Sequence, residues 1–160
     1  MCEYCGCQAS PAIDELTREH DVALDHVRVA RQAADHNDAD LAVATSRKLT
    51  ELLTPHNAVE EEALFPAMAR EYPEHVETLR AEHQGIHVAL SEITAGCPLA
   101  QDWQTRLRTA VAVLSEHIKK EQDGLFPAAL STLDGPDWTA LEQVRARVGS
   151  ALAAEPAHQQ

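Results

Sequence analysis

Apolar residues recur along most of the chain at intervals of three and four, which is the spacing of one face of an α-helix. Four long stretches and one short stretch carry such a face, and they run over residues 13–34, 41–64, 76–93, 107–125 and 141–148. The segments that join the long stretches are short, so consecutive helices are expected to run antiparallel. The pattern predicts an up-down-up-down four-helix bundle with a short extra C-terminal helix packed on its outside.

The composition favours an all-α fold. Aromatic residues make up only 4% of the chain, whereas alanine, leucine, glutamate, glutamine and arginine, which favour helices, are common. With 160 residues the chain is long enough for one hydrophobic core and too short for two ordinary domains. We expect a Cys-rich N-terminal segment over residues 1–10, the bundle over 11–152 and a disordered tail over 153–160.

Prolines and glycines mark the ends and irregularities of the helices. Pro55 and Pro66 interrupt the second stretch, and because each removes a backbone donor, a kink is expected there. Pro73 suits the start of the third helix. The Gly135-Pro136 pair is interpreted as the end of the fourth.

The formal net charge of −13 argues against two classes of partner. Such a charge repels phosphate backbones and anionic lipids, so neither nucleic-acid binding nor membrane-surface binding is expected. No apolar stretch approaches the roughly 20 residues needed to cross a bilayer, and the first residues form neither a basic nor an apolar leader. We therefore expect a cytoplasmic protein.

The two halves of the chain resemble each other. His56-Asn-Ala-Val-Glu60-Glu-Glu-Ala-Leu-Phe-Pro-Ala aligns with His117-Ile-Lys-Lys-Glu121-Gln-Asp-Gly-Leu-Phe-Pro-Ala. Upstream, Leu-Thr-Arg-Glu-His20 likewise aligns with Leu-Arg-Ala-Glu-His83. Each half is thus a helix with one histidine followed by a helix with a His-x3-Glu motif, which indicates a duplicated helical hairpin.

The repeated motif places carboxylates in the apolar interior. A histidine and a glutamate four residues apart share a helix face, and here leucines and valines share that face too. A buried carboxylate without a partner is costly, and the four long stretches offer no buried arginine or lysine to pair Glu60 and Glu121. A multivalent cation removes this cost.

A single His-x3-Glu motif is more often a solvated helix pair than a metal site, and a lone histidine on an apolar face is usually a hydrogen-bonded core residue. Here, however, the candidate ligands fall on all four inner faces and follow the repeat. They are His20, His56, Glu60, His83, His87, His117 and Glu121. Imidazole and carboxylate without thiolate suit iron, zinc or manganese. If both glutamates and one oxygen bridge, these ligands fill all but one position of two octahedral metals.

These motifs resemble those of the hemerythrin and HHE cation-binding family, over about residues 13–130. The resemblance includes an asymmetry, since the second half has a further histidine, His87, where the first half has Leu24. This is the family's five-histidine arrangement. It implies an oxo- or hydroxo-bridged pair of irons, with His83, His87 and His117 on one iron, His20 and His56 on the other, and Glu60 and Glu121 between them.

One position departs from the older animal members of that family. They have an aspartate five residues after the last histidine, where this chain has Gln122, so Glu121 fits the bacterial version. Glu61 is an alternative to Glu60 as a ligand. We favour Glu60 because only Glu60 has a counterpart in the second half.

The resemblance implies reversible dioxygen binding at the open position of the two-histidine iron. The apolar Leu24 is placed near that position, where a proton donor would favour turnover. Binding of dioxygen or nitric oxide for sensing, carriage or storage is therefore preferred. A di-iron enzyme that removes peroxide or nitric oxide is the alternative, and iron storage is a third hypothesis, disfavoured because one site holds only two ions. The redox partner is left open.

The remaining candidates receive simpler interpretations. His26, His36, His75 and His158 lie off the inner faces, by loops or in the tail. The symmetric Phe65 and Phe126 are expected to wall the metal cavity. The thiols of Cys2, Cys5 and Cys7 can bind a soft metal, sense redox state or have no role, and a closed tetrahedral site needs a fourth ligand such as Cys97.

We predict about two irons per chain after expression with iron, because one metal cannot use all the inner-face ligands and still pair both glutamates. Elemental analysis of the purified protein measures this stoichiometry. One zinc per chain, unchanged by iron supplementation, would contradict the prediction.

Overall fold

The computed structural model describes residues 10–96 and 99–154, and within these ranges every regular element is helical. The α-helices are α1 (Pro11–Asp35), α2 (Ala39–Val59), α3 (Phe65–Met68), α4 (Pro73–Thr94), α5 (Trp103–Lys120), α6 (Phe126–Thr132) and α7 (Gly135–Val148). Two π-helical turns, Glu60–Leu64 and Glu121–Leu125, follow α2 and α5, and a 3-10 turn, Ala151–Ala154, follows α7. The predicted all-α class is confirmed. The four cysteines, His158 and residues 155–160 of the predicted tail lie outside the described residues.

Local capping explains where several helices begin. The Ser10 hydroxyl accepts a hydrogen bond from the backbone N–H of Ile13 at the start of α1, and Asp38 caps α2 in the same way. Asp134 and Asp137 form a capping box at the start of α7. Gly135-Pro136, which was expected to end the fourth helix, therefore begins a new one.

The four long helices form a bundle in which each contacts two others. Helix α1 contacts α2 and α5, and α4 contacts α2 and α5. Helix α7 packs against α2, α1 and the first π turn, and its Leu141 is fully buried. None of the described helices combines the length and the apolar character that a bilayer crossing requires.

The apolar core of this bundle consists of two clusters. One contains Ala23, Leu53, Ile86 and Leu114, with others, and the second contains Leu16, Val59, Leu79 and Leu125, with others. On α1, α2 and α4 a histidine lies between a residue of one cluster and a residue of the other, and His117 of α5 lies between Leu114 and Leu125 of the second π turn. A polar layer therefore divides the core.

The glutamate of each His-x3-Glu motif is the first residue of a π turn. The N–H of Phe65 donates to the carbonyl of Glu60, five residues back, and the N–H of Phe126 donates to that of Glu121. In both halves the next residue is proline, which has no N–H to continue the regular pattern. Pro55, by contrast, lies inside α2. Of the two prolines expected to disturb this stretch, only Pro66 lies where the helix type changes.

The prediction that Leu24 lies beside the metal centre is wrong, because its side chain is 38% exposed. The inner face of α1 continues from His20 to Ala23 and Val27, at spacings of three and seven, and both are buried. Leu24, four residues after His20, lies off that face. In α4 the buried Ile86 corresponds to Ala23.

We predict that Leu24→Ala lowers the free energy of unfolding by less than about 1 kcal/mol, because the residue is partly exposed. Leu16→Ala, on the same helix but fully buried, should cost about 2–5 kcal/mol. Denaturant unfolding of the two variants provides the comparison. Equal losses would show that Leu24 is packed in the core after all.

Candidate metal centre

Six of the predicted ligands come together in the polar layer, and each is at most 4% exposed. We call them the buried cluster, and they are His20 on α1, His56 on α2, Glu60 in the first π turn, His83 on α4, His117 on α5 and Glu121 in the second π turn. Each of the four long helices contributes one histidine. Each π turn contributes one glutamate, its first residue.

The ligand atoms of the buried cluster form two overlapping groups. The first group contains His20 and His56 with both glutamates, and the second contains His83 and His117 with both glutamates. Within each group one ligand atom per residue lies within 4.8 Å of the others. Two metal positions that share both carboxylates fit this arrangement.

Each carboxylate lies between histidines of different groups. Glu60 is 3.1 Å from Nε2 of His56 and 3.0 Å from Nε2 of His83. Glu121 is 2.6 Å from Nε2 of His117 and 3.5 Å from Nε2 of His20. Both glutamates therefore contact imidazoles of both groups.

Several donor atoms of the cluster have no hydrogen-bond partner that would explain their burial. Although the carboxylates are close to imidazoles, both oxygens of Glu60, both oxygens of Glu121 and both nitrogens of His20 lack a partner with hydrogen-bond geometry. In addition, Nε2 of His83 faces Nε2 of His117 at 3.0 Å. Buried, converging nitrogen and oxygen donors without partners fit a metal ion, and iron is compatible with this donor set.

Three further glutamates contact the outer nitrogens of the histidines. Nδ1 of His56 is 3.3 Å from Glu19 and Nδ1 of His117 is 3.3 Å from Glu82. Nδ1 of His83 is 2.9 Å from Glu61, the residue considered above as an alternative to Glu60. Such contacts fix the ring orientation and direct Nε2 towards the centre.

Sequence reasoning assigned no role to Glu19 or Glu82. The sequence feature that could have identified them is a Glu-His pair at the same place in each half, Glu19-His20 and Glu82-His83. Each of these glutamates contacts a histidine on the other helix of its own half rather than its neighbour in sequence.

Two phenylalanines pack against imidazoles of the cluster, as expected from their symmetry. Phe126 stacks on His20 with ring centroids 5.3 Å apart, and Phe65 stacks on His83 at the same distance. Each ring thereby covers a histidine contributed by the opposite half of the chain. Both phenylalanines therefore contact the cluster, but neither lines the cavity that adjoins the four imidazoles, so the prediction that they wall the metal cavity is not confirmed.

Burial controls the charge state of the metal-free cluster. Burial and the neighbouring charge of Glu60 raise the pKa of Glu121 well above its usual range. Burial lowers the pKa of His20 to about 3 and that of His117 to about 4. At His56 the effect of burial is outweighed by that of Glu60, and the pKa rises to about 9. The pKa of Glu121 is therefore shifted towards the neutral acid, and that of His56 towards the protonated imidazole.

The seventh predicted ligand, His87, is exposed and belongs to neither group. It lines a groove of about 300 Å³ between α2 and α4, together with Glu61 and Glu62. Its part in metal binding stays a prediction. His36 ends α1 and His75 lies in the first turn of α4, so both are away from the cluster.

A cavity of about 10 Å³ adjoins the four imidazoles. Its other walls are Leu53, Asn57, Ile86, Leu114 and Ile118. A space of this size holds about one water-sized molecule. The groove between α2 and α4 shares Leu53, Asn57, Ile86 and His83 with it, so these residues separate the cavity from solvent.

Comparison with known proteins gives one match. The family model described as the hemerythrin HHE cation binding domain matches residues 11–129. No curated protein and no solved structure matches the chain. The matched range includes the whole buried cluster and ends within α6, so that α7 lies beyond it.

We predict that His117→Ala lowers the metal content to about one ion per chain or fewer, because it removes an inner-face ligand. His36→Ala should leave the content unchanged, since His36 lies at a helix end. His87→Ala should have a smaller effect than His117→Ala because its side chain is exposed. Metal analysis of the three variants tests this order, and equal losses from His117→Ala and His36→Ala would refute the assignment.

Proposed function

Since the chain belongs to the hemerythrin HHE cation binding domain family, as its motifs predict, we propose that the buried cluster holds two non-haem iron ions and binds dioxygen reversibly. In this proposal one iron is held by His20 and His56, the other by His83 and His117, and Glu60 and Glu121 bridge them. His87 is the fifth histidine of the proposal. It would have to turn inward from the groove wall to reach the second iron.

The observation that carries the metal proposal is the position of the two glutamates. Each is fully buried, each lies between histidines of the two groups, and neither has an ion pair with a lysine or arginine of the described residues. Two such carboxylates can both stay ionised in an apolar core only with compensating positive charge. A pair of multivalent cations supplies it.

We infer the up-down-up-down order of the long helices from their connections. The link between α1 and α2 is three residues, His36-Asn37-Asp38, and Asn37 adopts a left-handed conformation with φ of 53°. Asparagine tolerates that conformation better than most residues. A link this short, between helices that contact each other along the bundle, favours antiparallel neighbours.

The cavity beside the imidazoles supports a small, uncharged ligand. Apart from the histidines, its walls are four aliphatic side chains and the amide of Asn57. A charged substrate would lose its hydration there without compensation, whereas an uncharged diatomic molecule has little hydration to lose. Ferrous ions, when bound, supply the electrons that dioxygen binding requires.

The same walls favour binding over turnover. No aspartate, glutamate, lysine or tyrosine of the described residues lines the cavity, so apart from the histidines no side chain there can donate a proton to a bound molecule. The groove between α2 and α4 provides the route by which such a molecule would reach the cavity, past Leu53 and Ile86. The alternative is that the protein is an enzyme that removes peroxide or nitric oxide, and reversibility of the spectral change distinguishes it from reversible binding.

We predict that the anaerobically reduced, iron-loaded protein changes its visible spectrum on exposure to air and regains the reduced spectrum when oxygen is removed. The physical reason is that the small cavity, apart from its histidines, offers no side chain that can transfer a proton to the bound molecule. Stopped-flow absorption followed by argon purging measures this reversal, with His117→Ala as the control. Irreversible oxidation, with peroxide consumed over many cycles, would support the enzyme instead.

A further inference from the structure

Helix α7 lies beyond the residues that match the family, yet it reaches the surroundings of the buried cluster. Arg145 of this helix donates to both carboxylate oxygens of Glu19, at 3.2 Å from Nη1 and 2.5 Å from Nη2. The Glu19 side chain is completely buried, and that of Arg145 is 20% exposed. A two-pronged contact of this kind is among the stronger ion pairs in proteins.

Glu19 connects Arg145 to the buried cluster. Its Oε1 lies 3.3 Å from Nδ1 of His56, while the hydroxyl of Ser150, just after α7, donates to its Oε2 at 3.4 Å. Nε2 of the same imidazole faces Glu60 at 3.1 Å. A continuous chain of contacts therefore runs from α7 through Glu19 and His56 to a proposed bridging ligand.

The second half of the chain makes the equivalent contact differently. Glu82 lies 3.3 Å from Nδ1 of His117, and its cationic partner is Lys120 at 2.7 Å. Lys120 belongs to α5, the same helix as His117. Only the glutamate of the first half depends on a helix outside the duplicated hairpins.

We propose that Arg145 is a positioning residue for the metal position of His20 and His56, and that it acts through Glu19. This proposal rests on the proposed metal centre. Without Arg145 the buried carboxylate of Glu19 loses its arginine partner and is drawn towards water, so it ceases to hold the ring of His56. The metal position of His83 and His117 keeps its own support from Glu82 and Lys120.

The test is a titration of the metal-free protein with Co²⁺, followed by the visible absorption of the bound ion. Wild type should take up two equivalents. Arg145→Ala should weaken one of them by about 10- to 100-fold and leave the other unchanged. Arg145→Lys, which restores the charge, should recover part of the loss, and Arg147→Ala should match wild type because Arg147 pairs with the exposed Glu62.

Two further measurements separate positioning from a general loss of structure. If Arg145 acts through Glu19, the double variant Glu19→Ala, Arg145→Ala should bind Co²⁺ no more weakly than Glu19→Ala alone. Thermal unfolding of each metal-free variant reports the fold. Equal weakening of both equivalents, or an effect no larger than that of Arg147→Ala, would overturn the proposal. Uptake of fewer than two equivalents by wild type would instead refute the metal centre itself.

Discussion

Two glutamate carboxylates are buried between four histidines in the middle of a helical bundle, and the rest of the structure depends on how their charge is compensated. Glu60 and Glu121 are fully buried, and no lysine or arginine of the described residues forms an ion pair with either. In the metal-free protein, Glu121 is expected to hold a proton because burial and Glu60 raise its pKa. Two bound cations would compensate both carboxylates by direct coordination, without a proton on Glu121.

This constraint explains the division of the core into two apolar clusters. The polar layer interrupts the apolar contacts at the same level of all four long helices, so the bundle gains less from hydrophobic burial there than an all-apolar core would. Metal binding at this layer would then be coupled to folding, since ions that bind the folded bundle and not the separated helices stabilise the bundle. The two π turns belong to the same layer, since each begins at one of the two buried glutamates.

Much of the cluster was predictable because a duplicated His-x3-Glu motif specifies a helix face without reference to the partner helices. The position of Leu24 was not. Residues three and four after a histidine flank its face on opposite sides, and tertiary packing decides which one turns inward. Here Ala23 and Ile86 do, while Leu24 and His87 are exposed.

Helical periodicity could not predict the contacts that Glu19, Glu82 and Arg145 make around the candidate ligands either. Glu19 and Glu82 directly precede ligands in sequence, and adjacent residues point about 100° apart on a helix, so the inner-face pattern passes over them. Arg145 is 126 residues from Glu19 along the chain. Only the packing of α7 against the bundle reveals that a residue outside the repeat contacts Glu19, which in turn contacts His56.

The most direct test of this account is a crystal structure of the iron-loaded protein with diffraction data recorded at the iron absorption edge. The account predicts two anomalous peaks inside the bundle, one beside His20 and His56 and the other beside His83 and His117, each in contact with Glu60 and Glu121. A single peak, or peaks outside the buried cluster, would contradict it.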